Sequence, residues 1–207
     1  MSVIDEIILG VSPGVYEPAE DSALLAEQVA RDVGVRGIVL DVGTGSGLQA
    51  IVAARKAGVA RVVATDVNAE ALKLAAENAA ANDVGKKIIF VESDLFARVP
   101  HKKFNCIIFN SPYLPTAKKE RVRGALNAAF DGGGAKGRRV TDRFLREVKR
   151  FIAPNGVLLL VQSSLSDYEK TMSFLERAGF QTRVAASRRF FFEEIVVLRG
   201  VLKTRAR

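Results

Sequence analysis

One cysteine and one histidine in 207 residues leave little room for thiol or metal chemistry. Cys106 by itself can build neither a disulfide framework nor a zinc site. It alternates into a strand-like run, where a small buried packing group is expected. His101 stands in the polar turn VPHKKF without neighbouring ligand types, so a solvated loop position is expected there and no metal site is predicted. No apolar run approaches the ~20 residues needed to cross a bilayer. The opening MSVIDEIILG carries two acids and lacks the basic, apolar and small-residue series of a secretory signal. These absences predict a cytoplasmic protein. Aromatic residues are sparse, at 7 %, but 48 % of the chain is apolar, enough for an ordinary globular core. The length suits a single domain over 1–207.

Acidic residues are outnumbered, 23 against 31 basic ones, giving a formal charge of +8. Such a surplus suits a negatively charged partner such as RNA, a ribosome or a nucleoprotein, and it equally suits general solubility. It is clustered in AKKERVR (117–123), AKGRR (135–139) and the terminal KTRAR. Clustering beside one loop favours a binding face over a uniform coat.

Short β-branched runs alternate with Ala-rich helical segments. The runs are GIVLDV (37–42), RVVATDV (61–67), KIIFVES (87–93), FNCIIFN (104–110) and GVLLLVQ (156–162). Helices are predicted at about 20–33, 47–57, 69–81, 139–152 and 167–178. Parallel neighbours need crossovers and bury both faces, so this order predicts a doubly wound α/β sheet. FQTRVAAS and EEIVVLRG flank RRFFF with no helix between them, which reads as a closing antiparallel hairpin. Phe190, Phe191 and Phe192 are either core or the tip of a sticky hairpin, with core the favoured expectation. The stretch 111–137 shows no convincing periodicity, and loops beyond about 12–15 residues are usually functional or disordered.

After the first strand comes DVGTGSG, with Asp41 and glycines at 43, 45 and 47. Such a turn lets backbone approach a ligand closely, and its spacing is not the G-x-G-x-x-G of dinucleotide sites. Alone it is as compatible with a ligand-free turn as with a site. Asp66 closes the second strand, where a carboxylate can accept both hydroxyls of an adenosine ribose. Asp94 follows the third strand beside Leu95, placed to meet an adenine amino group. A carboxylate at a strand end is often only a helix cap, but three on successive ends beside a Gly turn favour ligand binding. Asn110, Ser111, Pro112 and Tyr113 end the fourth strand at the same sheet edge. They are more than a loop needs as punctuation.

Together DVGTGSG, ATDVN, ESDLF and NSPY resemble the class I S-adenosylmethionine-dependent methyltransferases that act on amino groups, whose usual tetrapeptide is Asn-Pro-Pro-Tyr. VYEPAEDSALLAE (15–27) and FDGGGAKGRRVTDRFL (130–145) narrow the resemblance to HemK-like protein glutamine methyltransferases of archaeal and eukaryotic type. It extends from about Val15 to the final hairpin. The resemblance implies a Rossmann-like, seven-stranded, mostly parallel sheet with helices on both faces. It also implies an N-terminal lid and helix over 1–36 and a substrate loop over 111–137.

Carried over by position, the resemblance gives Ser22, Asp41, Gly43, Gly45, Asp66, Asp94, Leu95 and Asn110 as contacts to S-adenosyl-L-methionine. Glu17 and Asp21 belong to the lid over its methionine end. Asn110 and the main-chain carbonyl of Ser111 would accept the two hydrogens of the methylated NH₂, Tyr113 would stack on the flat amide, and Pro112 would stiffen the turn. Ser111 replaces the usual first proline, which is expected to loosen the loop. The implied substrate is the glutamine of the Gly-Gly-Gln loop of a translation termination factor. A small zinc-binding activator is implied as partner, and the third-strand edge (Ile88, Ile89, Phe90) is apolar enough to invite strand addition. An N6-adenine or guanine amino-methyltransferase would use the same planar NH₂ geometry, but base flipping normally calls for an added recognition region. A cofactor-binding protein without catalysis is disfavoured by Asn110 and Tyr113.

Overall fold

The computed structural model describes residues 4–100, 103–114, 131–134 and 136–204. Its strands are β1 (Gly37–Val42), β2 (Val59–Asp66), β3 (Ile88–Glu92), β4 (Phe104–Asn110), β5 (Ile152–Ser163), β6 (Phe180–Arg189) and β7 (Glu194–Leu202). Among the described residues the α-helices are α1 (Glu20–Arg31), α2 (Leu48–Arg55), α3 (Ala69–Ala81), α4 (Arg139–Phe151) and α5 (Tyr168–Arg177). None is long and apolar enough to cross a membrane. His101 and the basic run 117–123 lie outside the described residues.

All strands join one sheet in the order β3-β2-β1-β4-β5-β7-β6. The pairs from β3 to β5 are parallel, and β7 is antiparallel to both β5 and β6. Because strand side chains alternate, each buried strand feeds two cores. Val39, Val62, Cys106, Ile108 and Leu159 pack beneath α1 and α2. Leu40, Val63, Ile107 and Leu158 pack on the other face with Phe144, Val148 and Phe151 of α4. Phe96 stacks on Phe144 and Phe151 at centroid distances of 5.3 and 4.5 Å. The expected seven-stranded architecture with a terminal hairpin is present, and Cys106 is buried in the core as its alternation predicts.

The helices begin where local chemistry allows. Asn68 caps α3 by accepting the amide N–H of Glu70 at 3.0 Å, and the Ala-rich sequence that follows costs little side-chain entropy. Gly47 caps α2 at φ +87°, and a Cβ there would approach Ala75 Cβ to 3.0 Å, so its bareness lets α2 and α3 meet closely.

Three expectations need correction. Phe191 and Phe192 are 95 % and 86 % exposed, because they occupy the turn between β6 and β7 and not either sheet face. Arg138 does not join a basic surface: it is 6 % exposed and donates to Ser166 O, Asp167 O, Asp142 and Thr171. Ile88 is buried against the core, so at the β3 edge Ile89 is the exposed apolar side chain and Phe90 is half-buried.

From β1 the chain builds outward through β2 to β3, then returns to place β4 on the opposite flank of β1. That reversal leaves a crevice above the carboxyl ends of β1 and β4, where open α/β sheets bind ligands.

Candidate active site

A cavity of about 350 Å³ occupies this crevice, within the size range of small-molecule sites. Its floor and one flank come from the ends of β1, β2 and β3: Gly43, Gly45, Asp66, Asp94 and Leu95. The other flank comes from Asn110 to Tyr113 after β4, from Asp21 and Ser22 at the start of α1, and from Glu193 before β7. Of the residues singled out in the sequence for the site, Glu17, Asp41 and Gly47 do not line it. Glu17 is exposed on the outer side of the segment leading into α1. Asp41 shares the strand face of Val39 and is buried beneath the loop, where its Oδ2 accepts the Thr44 hydroxyl at 2.6 Å. Burial, reinforced by the Asp66 charge, pushes its carboxyl up to about 7.

On the β2 side the polar groups are tied to the main chain. Asp66 Oδ2 accepts from Gly45 N and Oδ1 from Asn68 N, each at 2.9 Å. Burial still raises the Asp66 pKa above the ordinary carboxylate value, although these bonds oppose the shift. A Cβ built on Gly45 would meet nothing within 4 Å, so the space above it belongs to the cavity. Leu95 holds φ +49°, a conformation costly for a side chain of its size, and Ser93 Oγ fixes it by donating to Leu95 O at 3.0 Å. Asp94 is at the rim and pairs with Arg143 at 2.8 Å.

The β4 side is organised by Asp21. Its Oδ1 accepts from Tyr16 OH (2.9 Å), Ser22 N (2.6 Å) and Ser22 Oγ (3.2 Å). Its Oδ2 accepts from Asn110 Nδ2 (3.1 Å) and Tyr113 OH (3.2 Å). Asn110 Nδ2 also reaches Ser22 Oγ at 3.2 Å. The Asn110 atom that faces this acceptor is the amide nitrogen. The amide oxygen of Asn110 is therefore turned away from Asp21, buried and without a hydrogen-bond partner. Burial, reinforced by the Asp21 charge, holds the Tyr16 and Tyr113 phenols far above the ordinary tyrosine value, so neither is a base near neutral pH.

Four buried side-chain polar atoms among the described residues lack a partner, and three of them line this cavity: Gln49 Oε1, Asn110 Oδ1 and Glu193 Oε1. Leaving a buried acceptor open costs about 1–3 kcal/mol, so such a cluster marks a place where a ligand completes the bonding. Gln49, Glu193 and Tyr16 were not singled out from the sequence: Tyr16 and Glu193 lie in the quoted stretches VYEPAEDSALLAE and EEIVVLRG without a role of their own, and Gln49 follows the Gly turn with no motif to mark it.

The turn after β4 is anchored from behind. Ser111, buried, donates through Oγ to Val161 O at 2.7 Å, so the serine fastens the loop to β5 and does not loosen it. A buried chain continues from it through Thr141, Gln162 and Thr171 to Arg138. The DGGG segment packs backbone against backbone: a Cβ on Gly132 would lie 1.9 Å from Gly137 O and 2.8 Å from Pro112 O.

Comparison with known proteins identifies the family. The model of the methyltransferase small domain family matches residues 11–129. A putative protein N5-glutamine methyltransferase of Methanocaldococcus jannaschii is 44 % identical over 94 % of this chain and 95 % of its own length. The chain belongs to the HemK-like methyltransferases. Methyltransferase HEMK2 of Homo sapiens is 33 % identical to this HemK-like methyltransferase, over 92 % of the chain and 91 % of its own length. Among solved structures, one from the E. cuniculi Mtq2–Trm112 complex, responsible for methylation of the eRF1 termination factor, superposes with a TM-score of 0.71. It has 26 % identity and covers 92 % of this chain and 99 % of that one.

Proposed function

We propose that this methyltransferase transfers a methyl group from S-adenosylmethionine to the side-chain nitrogen of the Gly-Gly-Gln glutamine of a translation termination factor, in the cytoplasm. The observation that carries this reading is the buried, partnerless Asn110 Oδ1, aimed by the two bonds that hold its Nδ2.

The residues present fit the cofactor. Asp66 keeps lone pairs for ribose hydroxyls, Gly43 and Gly45 leave room beside the β1 turn, Leu95 offers an apolar wall to a flat base, and Asp21 and Ser22 stand near the β4 end. When bound, S-adenosylmethionine supplies an electrophilic methyl group on a sulfonium sulfur.

An amide nitrogen is a poor nucleophile because its lone pair is delocalised into the carbonyl. It gains reactivity when its hydrogens are held by acceptors that stabilise positive charge developing on nitrogen. Asn110 Oδ1 takes one hydrogen, and the main-chain carbonyl of Ser111 on the same turn takes the other. The Tyr113 ring, fixed through its hydroxyl to Asp21, walls the place of the flat amide. Asp21 already accepts from five donor groups, which suits a clamp and not a proton acceptor. Once the nitrogen carries the methyl group and positive charge, its surplus proton is acidic enough to pass to solvent water, so no base with a tuned pKa is needed in this arrangement.

The relatives' names support glutamine as the acceptor class, and the Mtq2–Trm112 complex supports a small activator partner. We place a zinc-binding activator on the outer edge of β3, where no further strand pairs among the described residues and Ile89 is exposed. The test incubates the protein and this activator with labelled cofactor and either termination factor or nucleic acid. Mass spectrometry is expected to find a single methyl on the glutamine of the Gly-Gly-Gln peptide. Label in nucleic acid, or in neither, removes the reading.

A further inference from the structure

The turn between β6 and β7 holds two features that the chemistry at Asn110 does not use. Glu193 presents a buried carboxylate oxygen without a partner at the cavity wall. Directly before it, Phe191 and Phe192 stand almost fully in solvent with their rings edge to face at 5.0 Å. Contiguous apolar surface left open to solvent marks places where a partner or ligand docks.

The topology explains how a residue so late in the chain reaches the site. β7 is antiparallel to β5 and begins opposite its end, pairing Ile195 with Ser163, so its first residues arrive at the carboxyl edge of the sheet. They arrive beyond β5, on the far side of β4 from β1, β2 and β3. Glu193 therefore stands on the acceptor side of Asn110, opposite Asp66. The turn is rigidly set: Phe190 N donates to Glu193 O at 2.7 Å, and Glu194 N donates to Ser164 Oγ at 3.0 Å.

We infer that residues 191–193 are the docking element for the polypeptide that carries the methyl acceptor, with Glu193 accepting a main-chain N–H beside the acceptor residue and Phe191 and Phe192 covering apolar side chains outside the cavity. The inference rests on the glutamine reading above. A polypeptide is the occupant that satisfies both halves of the turn: it brings N–H donors for the open carboxylate oxygen and apolar groups for the two rings. Nucleic acid is a poor match, because a carboxylate at the mouth repels the phosphates that carry most of its affinity. Glu193 is thus a positioning residue and takes no part in bond making.

The chain contains no tryptophan, so Phe192→Trp places a single indole reporter at the tip. With the activator present, its emission is expected to shift on titration with termination factor and to stay unchanged with nucleic acid. In steady-state assays, Phe191→Ser/Phe192→Ser and Glu193→Ala are each expected to raise KM for the factor about ten-fold or more, with kcat and cofactor affinity within about two-fold. A parent enzyme that methylates the factor beside variants with parental KM overturns the inference and leaves the glutamine reading intact. So does an indole that answers nucleic acid and ignores the factor. A parent enzyme inert toward the factor overturns both.

Discussion

Asp66 and Asn110 end strands on either side of β1, at the same edge of the sheet, yet they are treated in opposite ways. Both Asp66 oxygens are engaged by main-chain N–H groups from Gly45 and Asn68, so this side of the cavity is a finished cradle with lone pairs to spare. Asn110 is held only through its nitrogen, and its oxygen is left open in a buried position. A group that must hold a ligand gains from a rigid setting. A group that must meet charge developing during a reaction gains from an unused lone pair already aimed, since no reorganisation remains when the charge appears. The difference in bonding separates a holding side from a reacting side before any ligand is considered.

The sharpest way to break this contrast is Asn110→Ala. Loss of one preorganised partner of developing charge is expected to lower kcat by about 10²–10³-fold, while cofactor affinity, measured by calorimetry, falls far less. A parallel loss in both would mean that the two sides are not distinct. Next in size is Asp21→Ala. It leaves Asn110 free to rotate and strips the acceptor from Tyr16 and Tyr113, so kcat is expected to drop about ten- to a hundred-fold, with a stability cost of about 1–3 kcal/mol by urea titration. Unchanged kcat would show that Asn110 holds its orientation without the clamp.

The holding side was the more legible of the two in sequence. Its strand ends, Gly turn and acids lie in three compact stretches whose spacing reflects one strand-turn-helix unit after another. β1, β4 and α3 lie where the apolar runs and Ala-rich segment placed them, because each is bounded by turn residues or a cap. β5 starts earlier than expected, at Ile152, since the ladder to β4 accommodates the turn-forming Pro154 and Asn155 through a register shift. Asn110 and Tyr113 were visible because the tetrapeptide is local. What converges on them was not: Tyr16 and Gln49 come from before and after β1, and Glu193 comes from the far end of the chain. The three consecutive phenylalanines misled because apolar character predicts burial only when alternation gives it a face, and a turn has none. Asp41 misled in the opposite sense, since an acid beside a Gly turn fits a ligand contact equally well as a buried anchor for Thr44.

The rigidity of the holding side can be tested with two alanines. At Gly47 the positive φ and the approach to Ala75 act together, and Gly47→Ala is expected to cost about 1–3 kcal/mol of stability in urea titration. At Gly45 only the backbone preference opposes a side chain, because nothing lies within 4 Å of the new Cβ. Gly45→Ala is therefore expected to cost less stability than Gly47→Ala and to weaken cofactor binding by filling cavity space. Equal stability losses with cofactor affinity intact would show that the loop is not a fitted cradle.

The smallest effect concerns the acid beneath that loop. Asp41 keeps its proton in the folded state up to about pH 7, whereas the unfolded chain releases it near the ordinary aspartate value of about 4. Between these values the native state binds more protons, so the contribution of this group to stability is greatest in acid, declines as pH rises, and levels off above about 7. Other carboxylates also change the total, so the quantity to follow is the difference between the parent and Asp41→Asn, which retains an acceptor for Thr44 and cannot titrate. From pH 6 to 7 the parent is expected to lose about 1 kcal/mol relative to the variant. A flat difference across that interval would mean that Asp41 is ionised throughout, and the floor of the holding side would then carry a buried charge beneath the loop where this account places a neutral anchor for Thr44.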